Sequence, residues 1–387
     1  MTPKYKNIVV YSRNLPPESV GGIETNALYL IKNLMRVEGV RMHVVTLTKR
    51  RFLLFKSKKV EIESETVTVN FLKKGDTKRP QFLIRLLRRL QCAPEDTVIY
   101  HNTLDLHRLY AAIKGYGYRQ VARSGGNDIF FLKSETGSGK PALENFRHLD
   151  RIFLNSEYSY RRAIGMGLDQ NSLTVIKGGC VRELPVEDPP PVAYTRPIII
   201  SCCRLVDFKG LDDAIQAFHL LDKRGCDFTY ILIGEGNLRG DIEARIAQHD
   251  LQGKCLLLGK MPPEQVHEYY RLADIYLSSS KDIAKMNGGV EYIHTETMGR
   301  SLCEAQAYGL PVVSTNAGGS PEMVADGSSG FVVQQGDAEA IAAALAILIQ
   351  DETQRKAMGK MAERHARENL SWDAVFSRSF GEIAQLF

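Results

Sequence analysis

The 387-residue sequence reads as an open α/β protein with two parallel-sheet domains, and three observations carry that reading. Short apolar runs ending at glycine- or proline-rich turns alternate with amphipathic helical stretches. A proline-rich stretch at residues 186–197 (VEDPPPVAYTRP) interrupts the alternation, and the strand-then-helix pattern restarts after it. The length is natural for two cores and long for one. The expected division is therefore 1–190 and 191–368, with a helical end at 369–387.

In the first half, Lys6–Ser12 (KNIVVYS) is an apolar run of the kind a buried parallel strand shows. The Gly21-Gly22 pair then precedes a helix with Ile23, Ala27, Ile31 and Leu34 on one side. A glycine pair between strand and helix admits a phosphate to the backbone amides, or simply makes a tight turn. Further strands are expected at 41–48, 96–101, 151–156 and 173–177. His101 stands at a strand's C-terminal end, where open α/β sheets bind ligands. In 80–91 the apolar arc Phe82, Leu83, Leu86, Leu87 and Leu90 opposes Arg85, Arg88 and Arg89. That pattern reads first as a helix packed on a sheet and second as a helix lying on a membrane surface.

Charge separates the halves. Residues 1–200 hold 32 Lys/Arg against 19 Asp/Glu, and the remainder 18 against 26. The basic half is the one with something anionic to attract. Seven cysteines without CxxC spacing argue against a disulfide framework and against zinc, and Cys202-Cys203 read as small buried side chains in a reducing cytoplasm. Neither a run of about 18 apolar residues nor a signal-peptide pattern is present, so a cytoplasmic protein is expected. Nucleic acid lacks a supporting motif.

The second half begins with a strand at 198–202, followed by RLVDFKG, which places Arg204 and Lys209 in the loop before the next helix. Two cations there suit a departing diphosphate, although a solvated loop has the same composition. Strands follow near 229–234, 254–261 and 273–279, then a long 281–295 segment containing Asn287-Gly288-Gly289, read as a lid, an acceptor-selecting loop or a surface excursion. The stretch Thr295–Pro321 (TETMGRSLCEAQAYGLPVVSTNAGGSP) organises the half. Its Glu296 and Glu304 lie about 800° apart around a helix and cannot share one tight face. They make sense with Glu296 on the loop before the helix and Glu304 one turn inside it. Carboxylates there accept from sugar hydroxyls, while the amides of Gly299, Arg300 and Ser301 face oxygens. Incidental acids on a solvated helix are the plain alternative.

ETMGRSLCEAQAYGLPVVSTNAGGSPEMVADGSSGFVV resembles the donor-site signature of retaining family 4 glycosyltransferases, with the glutamates, the PVV strand, GGxPE and DGxxG in register. The resemblance implies the GT-B fold, two Rossmann-like parallel-sheet domains facing a central cleft. The first would bind acceptor, the second a nucleotide-sugar donor, and the C-terminal helix would cross back, anchored by Trp372. It further implies that Gly22, Arg204 and Lys209 face the diphosphate, that Glu304 holds the ribose, and that Glu296 holds sugar hydroxyls. His101 would line the cleft, and backbone around Lys260-Met261 would meet the base. Tyr292, His294 and Asp128 are acceptor-side candidates, although relatives carry a His-Gly pair where this chain has Gly125-Gly126 before Asp128. Gly178-Gly179-Cys180 replaces the family's usual Asn-Gly, which alters a hinge contact.

The implied activity moves a hexose or N-acetylhexosamine from an NDP-sugar, with a UDP-sugar such as UDP-GlcNAc or UDP-glucose favoured. No metal and no other cofactor is expected. The acceptor would be a small molecule or a lipid-linked glycan of bacterial biosynthesis, and the basic segment 49–89 would allow peripheral contact with the anionic inner membrane surface. The alternatives are an aminoglycoside-pathway glycosyltransferase acting on an aminocyclitol, a GT-B sugar-nucleotide epimerase and a non-catalytic nucleotide-sugar sensor. A nicotinamide-binding Rossmann protein would need GxGxxG after the first strand, and SVGGIE is not that.

Overall fold

The computed structural model describes residues 5–15, 22–48, 57–62, 65–73, 80–104, 106–126, 143–180, 182, 194–287 and 290–387. Gly21, Asp128 and most of the proline-rich stretch lie outside the described residues. The chain forms two compact units. One takes the chain up to Ile176 together with Val375–Phe387, and the other runs from Lys177 to Ala374 apart from residues 288–290.

In the first unit the strands are β1 Asn7–Ser12, β2 Arg41–Thr48, β3 Ser57–Ile62, β4 Glu65–Lys73, β5 Thr97–His101, β6 Arg119–Arg123, β7 Arg151–Leu154 and β8 Leu173–Val175. They lie in the order β3-β4-β2-β1-β5-β6-β7-β8. All neighbours are parallel except β3 and β4, whose antiparallel pairing puts β3 at an edge. Strand β1 is buried along its full length, which is why it reads as a continuous apolar run rather than an alternation. Chain order reverses between β1 and β5, which makes that gap the sheet's switch point.

The helix Pro80–Arg89 buries Leu83, Ile84, Leu86 and Leu87 in this unit's core. Its apolar arc is spent on the sheet, as the packed-helix reading expects, with Arg85, Arg88 and Arg89 left exposed. Among the described residues, no helix is long and apolar enough to cross a membrane.

The C-terminal residues complete the first unit. Glu382 pairs with Arg151 at 3.3 Å and accepts from Thr174 at 3.2 Å, and the Phe387 ring meets Tyr5 at 5.7 Å. The beginning of the same helix, Trp372–Ala384, belongs to the second unit. There the Trp372 amide donates to the Cys180 carbonyl, while a Cβ on Gly179 would meet the indole at 3.0 Å.

The second unit's sheet is wholly parallel. Its strands β9 Ile198–Cys202, β10 Thr229–Ile233, β11 Cys255–Gly259, β12 Ile275–Ser278, β15 Val312–Thr315 and β16 Gly330–Val333 lie in the order β11-β10-β9-β12-β15-β16. The chain builds outward from β9 on one side, then returns to β12 and builds outward on the other. The switch point lies between β9 and β12. Between β12 and β15 the segment expected as a long loop is instead a separate two-stranded sheet, β13 Ile283–Asn287 and β14 Val290–His294. Only two residues separate these strands, room enough for an antiparallel return and for no crossover.

Leu87 is 0% exposed, so Leu87→Ala is expected to cost about 2–5 kcal/mol. Arg88→Ala on the solvent face should stay within about 0.5 kcal/mol. Denaturant melts of the two variants check this, and equal, small losses would contradict the packed helix.

Candidate functional site

The site is assembled at the switch point of the second sheet, where the loops after β9, β12 and β15 converge. After β9 the chain makes a short turn, Asp207–Lys209, that ends on Gly210 in the left-handed region at φ 57°. A Cβ there would lie 2.0 Å from the Ser279 carbonyl, so only glycine permits the close approach. The Ser279 hydroxyl, just past β12, donates to the Lys209 carbonyl at 2.9 Å. These contacts fix the root of Lys209, whose ammonium pairs with Glu296 Oε2. Arg204 remains exposed, its guanidinium 6.0 Å from the centroid of the Phe208 ring, and the Lys209 ammonium lies 5.1 Å from the same ring.

Glu296 lies on the loop before the helix Arg300–Ala307, and Glu304 lies inside that helix. The side chains of Lys209 and Glu296 are only 13% and 20% exposed. Glu296 Oε1 accepts from the Gly299 amide at 3.1 Å, and its backbone carbonyl accepts from Gly319 at 2.9 Å. The expectation that Gly299 faces a ligand oxygen is corrected: the Glu296 carboxylate already takes its amide. Glu304 pairs with Arg300 at 3.0 Å, and the Ser301 hydroxyl accepts from Tyr276 at 2.7 Å. On the loop after β15, Gly318 adopts φ 51°, and a Cβ there would strike the Glu296 carbonyl at 2.1 Å.

The electrostatics follow from this pairing. Burial alone would raise the Glu296 carboxyl. The Lys209 charge and hydrogen bond, with amides from Gly299 and Met298, outweigh it and hold the pKa below the usual 4.5. Burial would likewise lower Lys209, yet Glu296 carries it above the usual 10.5.

The other sequence candidates are scattered. Lys260 is exposed after β11 and Met261 half-buried beside it. The His294 ring packs on Phe208 at 4.2 Å, and Tyr292 lies 6.3 Å from His294. These contacts bring the hairpin against the Arg204–Lys209 turn, and burial lowers the His294 pKa. Cys202 and Cys203 are part-buried, with burial raising both thiols. Among the described residues, no cluster of three or more His, Cys, Asp or Glu could hold a metal.

In the first unit His101 is 0% exposed, its ring 4.8 Å from that of Tyr110 and its Nε2 3.2 Å from Gln120 Oε1. Burial pushes its pKa down to about 4. It is a neutral core histidine, and the cleft-lining place expected for it is corrected. What occupies that switch point instead is a polar chain missed in the sequence. Asn26, on the helix that starts at Gly22, donates to Asn102 Oδ1. Asn102 donates to the Ser12 hydroxyl at 3.3 Å, and Asn14 donates to Glu24 at 3.3 Å. Asn102 follows His101 directly and is itself buried.

Residues 187–365 match the family described as Glycosyl transferases group 1, and the two parallel-sheet units have the GT-B fold. The amylovoran biosynthesis glycosyltransferase AmsK of Erwinia amylovora is 36% identical over 195 residues, covering 49% of this chain and 45% of that protein. A GDP-mannose-dependent alpha-(1-6)-phosphatidylinositol monomannoside mannosyltransferase of Mycolicibacterium smegmatis is 29% identical over 177 residues, covering 46% and 45%. The chain thus spans about half the length of these curated relatives. The crystal structure of Anabaena Alr3699/HepE in complex with UDP and glucose superposes with a TM-score of 0.70, covering 98% of this chain and 100% of that one. At 19% identity this is a likeness of fold.

The depressed Glu296 pKa gives stability that is present above the ordinary carboxylate range and lost as pH falls through the folded value. The raised Lys209 pKa gives stability present below the usual 10.5 and lost as pH rises beyond it. Thermal melts across the acid limb should therefore fall less steeply for Glu296→Gln than for the wild type. Identical acid limbs would show that the pair contributes nothing.

Proposed function

We propose that the protein is a retaining glycosyltransferase moving a hexose or N-acetylhexosamine from a nucleoside-diphosphate sugar to a hydroxyl of a glycan or glycoconjugate. The observation that carries this reading is the Lys209–Glu296 pair, fixed at the switch point of a parallel sheet with Arg204 on the same turn. A lysine there serves a diphosphate, a buried carboxylate serves sugar hydroxyls, and both are pinned before any ligand arrives.

In the proposed reaction the bond between the anomeric carbon and the diphosphate oxygen breaks, and its electron pair leaves with the nucleoside diphosphate. Arg204 and Lys209 stabilise that charge. The acceptor hydroxyl forms the new bond on the face just vacated, and its proton passes to the departing phosphate oxygen. Glu296 holds sugar hydroxyls, Glu304 the ribose, and Arg300 and Ser301 flank them on the same helix. Gly22 and the backbone at Lys260 and Met261 remain secondary donor contacts. His101 has no part, because a buried neutral imidazole reaches no substrate.

A UDP-sugar stands first among donors, supported by the complex of the Anabaena protein with UDP. The name of the mycolicibacterial relative makes GDP-mannose its first competitor. For the acceptor, the exposed Arg85, Arg88 and Arg89 and the basic first half favour an anionic or lipid-linked glycan intermediate. The name of the Erwinia relative supports polysaccharide biosynthesis.

Incubation with a panel of UDP- and GDP-sugars, followed by NMR, is expected to show nucleotide release from one donor, with slow hydrolysis giving the donor's own anomer first. Glu296→Gln and Lys209→Ala should each reduce that turnover by about 100-fold or more while melting cooperatively. Near-normal turnover in either variant removes the site assignment. Donor binding without release, even with acceptor extracts, would favour a nucleotide-sugar sensor.

A further inference from the structure

The hairpin formed by β13 and β14 is fastened at both feet, and one carboxylate does the fastening. Asp282 precedes β13 and Thr295 follows β14, and the Thr295 hydroxyl donates to Asp282 Oδ1. The same oxygen accepts the Gly318 amide at 3.1 Å. Gln335 holds Asp282 reciprocally: its Oε1 accepts the Asp282 amide at 2.6 Å, and its Nε2 donates to Oδ2 at 3.3 Å. Gln335 is itself placed by a bond from its amide to Asn316 Oδ1 at 2.9 Å, on the loop after β15.

Asp282 therefore joins three segments distant in sequence: the two feet of the hairpin and the loop carrying Gly318-Gly319. That loop grips Glu296, because the Gly319 amide donates to the Glu296 carbonyl and Gly318 passes so close that a Cβ would overlap it. Thr295, the other partner of Asp282, is covalently next to Glu296. Lys281 clasps Asp212 at 2.8 Å and Asp213 at 3.2 Å, and Lys285 pairs with Asp207 at 2.6 Å, so the hairpin is also anchored to the Lys209 side. The hairpin is thus tied to both the Gly318 loop and the turn that carries Lys209.

We propose that Asp282 is a positioning residue for the glycosyl-transfer site. It closes the hairpin onto the Gly318 loop, and so holds the Glu296 backbone where its carboxylate meets both Lys209 and the sugar. This rests on the transferase reading of the site. Asp282 touches no proposed reacting atom; its effect on the reaction passes through Gly318, Thr295 and Glu296.

The test measures two things on the same variants. Hydrogen exchange by mass spectrometry over the peptide containing Gly318 reports the clamp without any need of activity. Donor turnover, with separate kcat and KM, reports the positioning. Asp282→Ala removes all three hydrogen bonds that the carboxylate accepts and is expected to speed exchange at Gly318 and to lower kcat about tenfold or more, with UDP or GDP affinity within about twofold of wild type. Asp282→Asn keeps an oxygen for Gly318 and Thr295, so it should recover most of kcat. Unchanged exchange in Asp282→Ala overturns the clamp. Faster exchange with wild-type kcat, or an equal loss of nucleotide affinity and kcat, overturns the positioning role. A wild type inactive toward every donor overturns the transferase reading and the positioning role with it, while the exchange result still shows whether the clamp exists.

Discussion

The burial of Glu296 constrains the rest of the second unit. A carboxylate that is only 20% exposed is tolerated when its charge is answered and its lone pairs are occupied. Here Lys209 answers the charge, and the Gly299 amide takes an oxygen from the carboxylate's own loop. Each partner imposes a further demand. Lys209 reaches Glu296 because Gly210 turns left-handed against Ser279, and the loop carrying Glu296 stays in place because Gly318 and Gly319 close over its carbonyl. Removing one partner from a fully buried pair costs about 3–5 kcal/mol; partial exposure places this pair below that range. Its worth is more in geometry than in stability.

The parallel sheet makes such an arrangement available. Loops after β9, β12 and β15 leave the same edge of the sheet, and the reversal of chain order between β9 and β12 parts their helices. Arg204 and Lys209 come from the first of these loops, Ser279 and Asp282 from the second, and Gly318 from the third. Residues as far apart as Lys209 and Glu296, 87 positions, meet without any long excursion of the chain. The first unit repeats the plan with different chemistry. At its switch point Ser12, Asn26 and Asn102 form a neutral hydrogen-bonded chain, with Glu24 tied to Asn14 nearby. Ser12 and Asn102 are buried there, so the chain ties the ends of β1 and β5 to the first helix, in contrast to the paired charges of the second unit.

Much of this was legible in the sequence because fully buried parallel strands are continuous apolar runs, and runs such as IIISC at 198–202 admit few other readings. Helical geometry barred Glu296 and Glu304 from one tight face, and the open amides of a helix N-terminus suggested Glu296 before the helix and Glu304 within it. Other features depend on partners that periodicity does not reveal. His101 and Asn102 both stand at the end of β5, and only packing decides that the imidazole turns inward against Tyr110 while the amide joins the polar chain. The apolar arc of 80–89 fits a sheet first and a membrane second, and tertiary burial bears out the sheet. The hairpin carried its own signal, two glycines between short runs, which is a turn pattern. It read as a loop because neither strand alternates cleanly between polar and apolar residues.

That missing alternation has a physical reason. A half-buried strand alternates because one face meets a core, whereas β13 and β14 are held by charges and rings at their edges: Lys285 on Asp207, His294 on Phe208, Thr295 on Asp282. Discrete polar contacts fix an element's position without leaving a period in the sequence. They also fix it more sharply in space than a small apolar contact would, since each has a preferred direction and length. In the proposed transferase a wall beside the site needs that sharpness, because near-attack geometry tolerates little displacement. Hydrophobic patterning therefore accounts for the two sheets, and polar contacts between segments distant in sequence account for the site built upon them.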